Sequence, residues 1–193
     1  MVTTLQSIFD DIYDNDRWNG GSGPGSHSSR TGEYTAFINH LIRDLKIESF
    51  LDVGCGDWQL AQWFRLDGIR YKGIDISKSA VALAKNRAPA STDISVSDIF
   101  SVTDKFDFVH IKDVLQHLPF DDCDRILTHA CKNSRYVLVT NEYPPCSNDI
   151  EAGQYRPIDV SYWPNSKIVR IFSNHGFNKS STLITNDYAS REH

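Results

Sequence analysis

Three acids and a glycine turn are spaced along this chain as a nucleoside-binding site requires. Leu51-Asp52-Val53-Gly54-Cys55-Gly56-Asp57-Trp58 reads as an apolar strand running into a glycine turn. Gly73-Ile74-Asp75-Ile76-Ser77 reads as a second strand ending on an acid, 19 positions after Gly56. Glycines let the backbone approach a ligand closely, and an acid at the next strand end can take both hydroxyls of a ribose. A third strand ends on Asp98, followed by Ile99 and Phe100. Lys112 and Asp113 follow a fourth apolar run, and Asn141 and Glu142 follow a fifth. Ligands of open α/β sheets bind at such carboxyl ends of strands. His117 lies just beyond Asp113, with an ordinary pKa suited to acid–base work.

The turn departs from the G-x-G-x-x-G of dinucleotide binders, because Gln59 stands where the third glycine would fall. Asp57, expected at the start of a helix over 57–66, would repel a pyrophosphate, cap that helix and favour a cationic amine. S-adenosylmethionine has such an amine and no phosphate.

The elements that must position these residues alternate. Helices are expected over 3–14 and 34–45, the second carrying Tyr34, Phe37, Ile38, Leu41, Ile42 and Leu45 at helical spacing. Between them lies a glycine- and serine-rich loop, Trp18 to Ser29. Strands are expected over 49–54, 70–75, 93–97, 106–111 and 136–140, with helices over 57–66, 78–88 and 121–132. An irregular stretch, 141–164, then holds four of the seven prolines. A helix over 165–175, closed by Gly176, and a strand over 177–186 end the pattern. Such alternation predicts an α/β fold, a doubly wound, mostly parallel sheet of six or seven strands with helices on both faces. The expected organisation is N-terminal helices and lid over 1–46, a cofactor-binding core over 47–187 and a tail over 188–193, in one domain.

The turn, the acids at 75 and 98, and Lys112-Asp113-Val114-Leu115-Gln116-His117-Leu118-Pro119 together resemble class I S-adenosylmethionine-dependent methyltransferases. The resemblance covers roughly residues 47–187. It implies a Rossmann-like fold and S-adenosylmethionine as methyl donor, with S-adenosylhomocysteine as product. Asp52, Gly54, Cys55, Gly56, Asp57 and Trp58 would hold the methionine end, Asp75 and Ile76 the ribose, and Asp98 and Ile99 the adenine, with Phe100 packing beside it. Lys112 would lie against the cofactor and face the acceptor. Arg17-Trp18-Asn19-Gly20-Gly21-Ser22-Gly23-Pro24-Gly25-Ser26 resembles the "RWGGGSGPGS" loop of a bacterial and viral subset of these enzymes. That likeness makes Trp18, Gly21 and Ser22 candidate cofactor contacts within a closing lid. It also favours a sugar or glycan hydroxyl, or another small polar acceptor; a place within a larger glycan-modifying polypeptide is admissible. Such family members end with two strands, the last antiparallel; only the strand over 177–186 is expected here.

A hydroxyl acceptor calls for help with its proton, and Asp113, Glu142, His117 and His27 are the candidates, in that order. Asp113, Asn141 and Glu142 also resemble the oxygen ligands of metal-dependent O-methyltransferases, so Mg2+ is admissible but not expected. Tyr143, Tyr155, Arg156, Tyr162 and Trp163 are expected to wall the acceptor pocket. Two other readings are a non-catalytic S-adenosylmethionine-binding module and, opposed by Gln59, a nicotinamide-dependent enzyme.

Composition narrows the partners. The net charge is −5, so no basic surface announces a nucleic acid. No apolar run approaches the ~20 residues of a membrane span, and no signal peptide is visible. The four cysteines show no CxxC spacing and read as reduced thiols of a cytoplasmic protein.

Overall fold

The computed structural model describes residues 4–174 and 177–186. Its elements are α1 (Leu5–Asp14), α2 (Ser28–Asp44), β1 (Ser49–Val53), β2 (Arg70–Asp75), α3 (Lys78–Arg87) and β3 (Asp93–Val96). There follow β4 (Phe106–Lys112), α4 (Phe120–Lys132), β5 (Ser134–Glu142), β6 (Ser166–Asn174) and β7 (Phe177–Thr185). The seven strands form one sheet in the order β3-β2-β1-β4-β5-β7-β6. β1 to β5 are parallel, and β7 runs antiparallel between β5 and β6. The chain reverses direction across the sheet between β1 and β4, which opens a crevice at their carboxyl ends.

Strand alternation builds two cores. On one face Phe50, Phe108 and Leu138 pack with Tyr34, Ile38 and Ile42 of α2 and Val81 and Ala84 of α3. On the other, Leu51, Val53, Val109, Ile111, Val137 and Val139 pack with Cys123, Ile126, Leu127 and Ala130 of α4. Ile158 and Val160, from the stretch after β5, complete that second core.

Two elements differ from the sequence expectation. No α-helix follows the glycine turn; residues 57–66 contain only a single 3-10 turn, Ala61–Trp63. Trp58 has φ 60°, which no α-helix tolerates. Side chains of other elements take up the freed backbone groups. Asn39 of α2 accepts from Arg65 N and donates to Trp63 O, and Arg87 of α3 donates to Asp57 O. Asp57 therefore caps no helix.

The expected helix over 165–175 is strand β6 instead. Ile168, Val169, Ile171 and Phe172 satisfy helical and extended spacing over so short a run, and three of the four are β-branched. Pairing with β7 decides the matter, through a register shift between Ile168 and Arg170. The antiparallel finishing pair of strands is thus complete. Gly176 and the expected tail over 188–193 lie outside the described residues. No described helix is long and apolar enough to cross a membrane.

Phe172 anchors β6, its ring 5.5 Å from that of Tyr34 and 5.7 Å from that of Phe37. Phe172→Ala should cost about 3–5 kcal/mol, measured by urea denaturation. A cost within the range of a surface substitution would show that β6 does not pack as described.

Candidate active site

The crevice between β1 and β4 is a cleft lined on one side by Asp52, Val53, Gly54 and Cys55, and on the next by Ile74, Asp75 and Ile76. Asp98, Ile99 and Phe100 line its far end, and Lys112, Asp113 and Val114 its near end. Leu5, Phe9 and Tyr13 of α1, with Trp18, Ser22 and Ser26 of the loop, roof it.

The glycine turn works by close approach. Gly54 has φ 69°, and a Cβ there would meet the Val114 side chain at 2.3 Å. A Cβ on Gly56 would lie 2.1 Å from Ser22 Oγ, so a glycine here gives the roof room to approach. Asp75 lies at the C-terminal end of β2, buried, its carboxylate accepting from Gly56 N at 3.0 Å and Ser77 N at 2.9 Å. Burial outweighs these two bonds and raises its pKa to about 6. Asp98 accepts from Ser101 N and Oγ, capping the turn that carries Ile99 and Phe100.

Beneath the turn runs a polar network that sequence reasoning missed apart from Asp52. Asp52 Oδ1 accepts from His110 Nδ1 at 2.8 Å, and its Oδ2 accepts from Tyr71 Oη at 2.9 Å. Trp58 Nε1 donates to the same Tyr71 oxygen. The Tyr34 hydroxyl sits 2.7 Å from His110 Nε2 and 3.1 Å from Thr140 Oγ1, which in turn meets Ser181 Oγ. The only available signal was polar residues at strand positions where an apolar core would be expected, His110 and Thr140 among them.

At the near end a second polar layer crosses the sheet. Asp113 closes β4 in the left-handed region, φ 59°, where a non-glycine residue is strained. Lys112 Nζ donates to Asp113 Oδ2 and, at 2.9 Å, to Gly25 O of the loop. Lys179 Nζ, from β7, donates to Asp113 Oδ1 at 2.8 Å and to Glu142 Oε1 at 2.7 Å. Burial opposes the charge on Asp113, but Lys112 and Lys179 outweigh it and hold the pKa at about 2. Burial lowers the pKa of Lys112, while on Lys179 the carboxylates of Asp113 and Glu142 overcome burial and raise it. Lys179 was not singled out from sequence, because only the β5–β7 register brings it opposite Glu142.

Other expected residues stand elsewhere. Asp57 is buried outside the cleft lining, accepting from Ser22 Oγ at 2.7 Å and pairing with Arg87 at 2.7 Å. It thus fastens the loop to the turn. A Cβ on Gly21 would meet Asp57 Oδ2 at 2.4 Å, so Gly21 serves that docking. Trp58 points into the core, onto Tyr71. His117 lies outside the cleft lining; Nδ1 donates to Gln154 O at 3.0 Å, Nε2 faces the Gln116 amide, and the ring packs 5.1 Å from that of Trp18. Burial lowers its pKa, and it supports Trp18 from behind. His27 caps α2 through Ser29. Asn141 is buried with its Oδ1 lacking a hydrogen-bond partner. Of the expected acceptor wall, Tyr143, Tyr155, Arg156, Tyr162 and Trp163, none lines this cleft. Arg156 is a buried clamp, donating to Leu118 O at 2.6 Å and lying over the Phe120 ring, and Tyr162 donates to Asp124.

Residues 51–133 match a family model described as a methyltransferase domain. The chloroplast magnesium protoporphyrin IX methyltransferase of Arabidopsis thaliana is 31% identical over 122 residues, 60% of this chain and 39% of that protein. The chain thus spans about two fifths of the length of this curated relative. The magnesium protoporphyrin IX methyltransferase of Synechocystis PCC 6803, crystallised with S-adenosylhomocysteine, aligns with a TM-score of 0.71 at 16% identity, over 95% of this chain and all of that one. The bifunctional kinase-methyltransferase WbdD aligns with a TM-score of 0.63 at 16% identity, over 95% of this chain and 46% of that one. At such identities the structural likeness shows the fold, a Rossmann-like methyltransferase fold.

Tyr34→Phe removes the hydroxyl that meets His110 and Thr140. It should cost about 1–3 kcal/mol, measured by urea denaturation with the fold monitored by circular dichroism. A change near zero would mean the hydroxyl does not hold the network together.

Proposed function

We propose that this chain, whose residues 51–133 carry a methyltransferase domain, transfers the methyl group of S-adenosylmethionine to the hydroxyl of a sugar or another small polar acceptor. The observation that carries the donor half is Asp75. It is a buried carboxylate, facing the cleft 19 residues after Gly56 and bonded to that glycine's own amide. Two vicinal hydroxyls are what such a carboxylate can take from a ligand. Asp52, Gly54 and Cys55 line the same cleft and would take the methionine end, and Ile76, Ile99 and Phe100 offer apolar surface that would suit the base.

When bound, S-adenosylmethionine supplies an already electrophilic methyl group. The chain has to orient the acceptor, exclude water and take a proton. Asp113 suits this. Each of its oxygens, though bonded to a lysine, keeps a lone pair for an acceptor O–H. Its pKa near 2 makes it a weak base. A weak base suffices, because an alcohol oxygen that takes the methyl as its third substituent, while the methyl–sulfur bond breaks, becomes an oxonium far more acidic than a carboxylic acid. The proton therefore passes to Asp113 as the new bond forms.

Both lysines at this end are engaged with carboxylates, which favours a neutral hydroxyl over an anionic acceptor. The loop likeness supports a glycan setting, and its docking on Asp57 and Lys112 supports a closing lid formed by α1 and residues 18–26. A cytoplasmic location fits the absence of disulfide spacing in the sequence.

Asp75→Ala should weaken S-adenosylhomocysteine binding by at least about tenfold, the loss of one buried charged hydrogen-bonding group, read by calorimetry; unchanged affinity would sink the assignment. The raised pKa sets a pH window. Asp75 is ionised and fully accepting above about 6, so affinity should fall as pH drops through that value and lose this dependence in the variant. A methyl-transfer screen over nucleotide sugars, free glycans, small phenols and small carboxylic acids tests the acceptor half. Transfer only to carboxylic acids would overturn the hydroxyl reading.

A further inference from the structure

Asp113, Asn141 and Glu142 do not converge as a metal site. Asn141 and Glu142 are neighbours on a strand, so their side chains leave opposite faces of the sheet. Glu142 meets Lys179 on one face, while Asn141 Oδ1 stays buried without a partner. Among the described residues, no three His, Cys, Asp or Glu side chains are grouped to hold an ion. What does lie between Asp113 and Glu142 is an ammonium group.

We propose that Lys179 is a positioning residue standing where a metal-dependent site would hold a divalent cation. Its side chain is 2% exposed, and its one nitrogen reaches both carboxylates at hydrogen-bond distance. Both acids are therefore drawn together around a fixed positive charge, as ion ligands are. The arrangement is built into the sheet: β7 inserts antiparallel beside β5, and the register sets Lys179 opposite Glu142. Gly25 closes it from above, since a Cβ there would lie 3.0 Å from Asp113 Oδ2 and 3.5 Å from Lys179 Nζ. A lysine has one role that an ion lacks. It is tethered, so it turns Asp113 toward the cleft without depending on metal supply. The strained backbone of Asp113 is held by the same contacts.

This inference rests on the reading of Asp113 as the acceptor-side acid, but its test needs no acceptor. Mn2+ is titrated into the S-adenosylhomocysteine-treated protein and followed by electron paramagnetic resonance. The wild type and Lys179→Arg should show no bound Mn2+ up to about 1 mM, the weak end of oxygen-ligand sites. Lys179→Met should gain one site in the range of about 0.1–1 mM, and the double variant Asp113→Asn/Lys179→Met should lose it again. Lys179→Gln carries the same test if Lys179→Met does not fold, as judged by circular dichroism. A wild-type Mn2+ site abolished by Asp113→Asn would overturn the proposal. So would a folded Lys179→Met or Lys179→Gln variant that gains no Mn2+. Failure of the wild type to bind S-adenosylhomocysteine would instead strike the functional reading and leave the Mn2+ result to stand by itself.

Discussion

The carboxylate of Asp52, buried directly beneath the glycine turn, is the constraint around which this structure is arranged. An ionisable group in that position is costly unless every lone pair finds a donor. Tyr71 from β2 and His110 from β4 supply them, and they flank β1 on either side. His110 in turn needs Tyr34 of α2, whose hydroxyl also meets Thr140 of β5. One buried charge thus ties three neighbouring strands, a fourth and a helix into one register. The turn above it inherits that rigidity, and with it the place of Gly54 against Val114 and of Asp75 against Gly56.

The same face of the sheet carries a second polar layer, nearer the strand ends. There the partners are Lys112, Asp113, Glu142 and Lys179, two acids and two bases that balance in charge. Such a cluster has high stakes in a low dielectric, since removing one member strands the others. It also keeps Asp113 ionised and in an unfavourable backbone conformation at the mouth of the cleft. The two layers divide the work. The inner one holds the floor of the cleft, and the outer one shapes its near end.

The N-terminal segment joins these layers from above. Ser22 binds Asp57 beside the glycine turn, Gly25 O accepts from Lys112, and Asp10 of α1 accepts from Ser77 at the start of α3. Of these partners Lys112 lines the cleft, while Asp57 and Ser77 stand outside its lining. Gly21, Gly23 and Gly25 of the loop leave room for close neighbours, and a Cβ on Gly21 would collide with Asp57 at 2.4 Å. A composition that reads as a linker is in this setting a close-fitting cover.

Much of this molecule was legible in its residues. The glycine turn, the acids at the ends of successive strands and the apolar runs of β1, β2, β4 and β5 carry their meaning locally, because strand alternation and left-handed turns are properties of short segments. Asp75, Asp98 and Asp113 could therefore be placed at the sheet's edge before any packing was known. What tertiary structure alone decided were the matters settled by partners far along the chain. Residues 57–66 forgo a helix because Asn39 and Arg87 satisfy their backbone. Residues 166–174 are a strand because β7 offers a ladder to a run that helical spacing fits equally well. Asp57 binds Ser22 and Arg87, and so leaves the cleft. Lys179 enters the site only through the register of an antiparallel strand inserted last. Hydrogen bonds and ion pairs between distant residues outweigh the small local preferences that a sequence displays, and it is those long-range pairings that converted a nucleoside-binding pattern into a particular site.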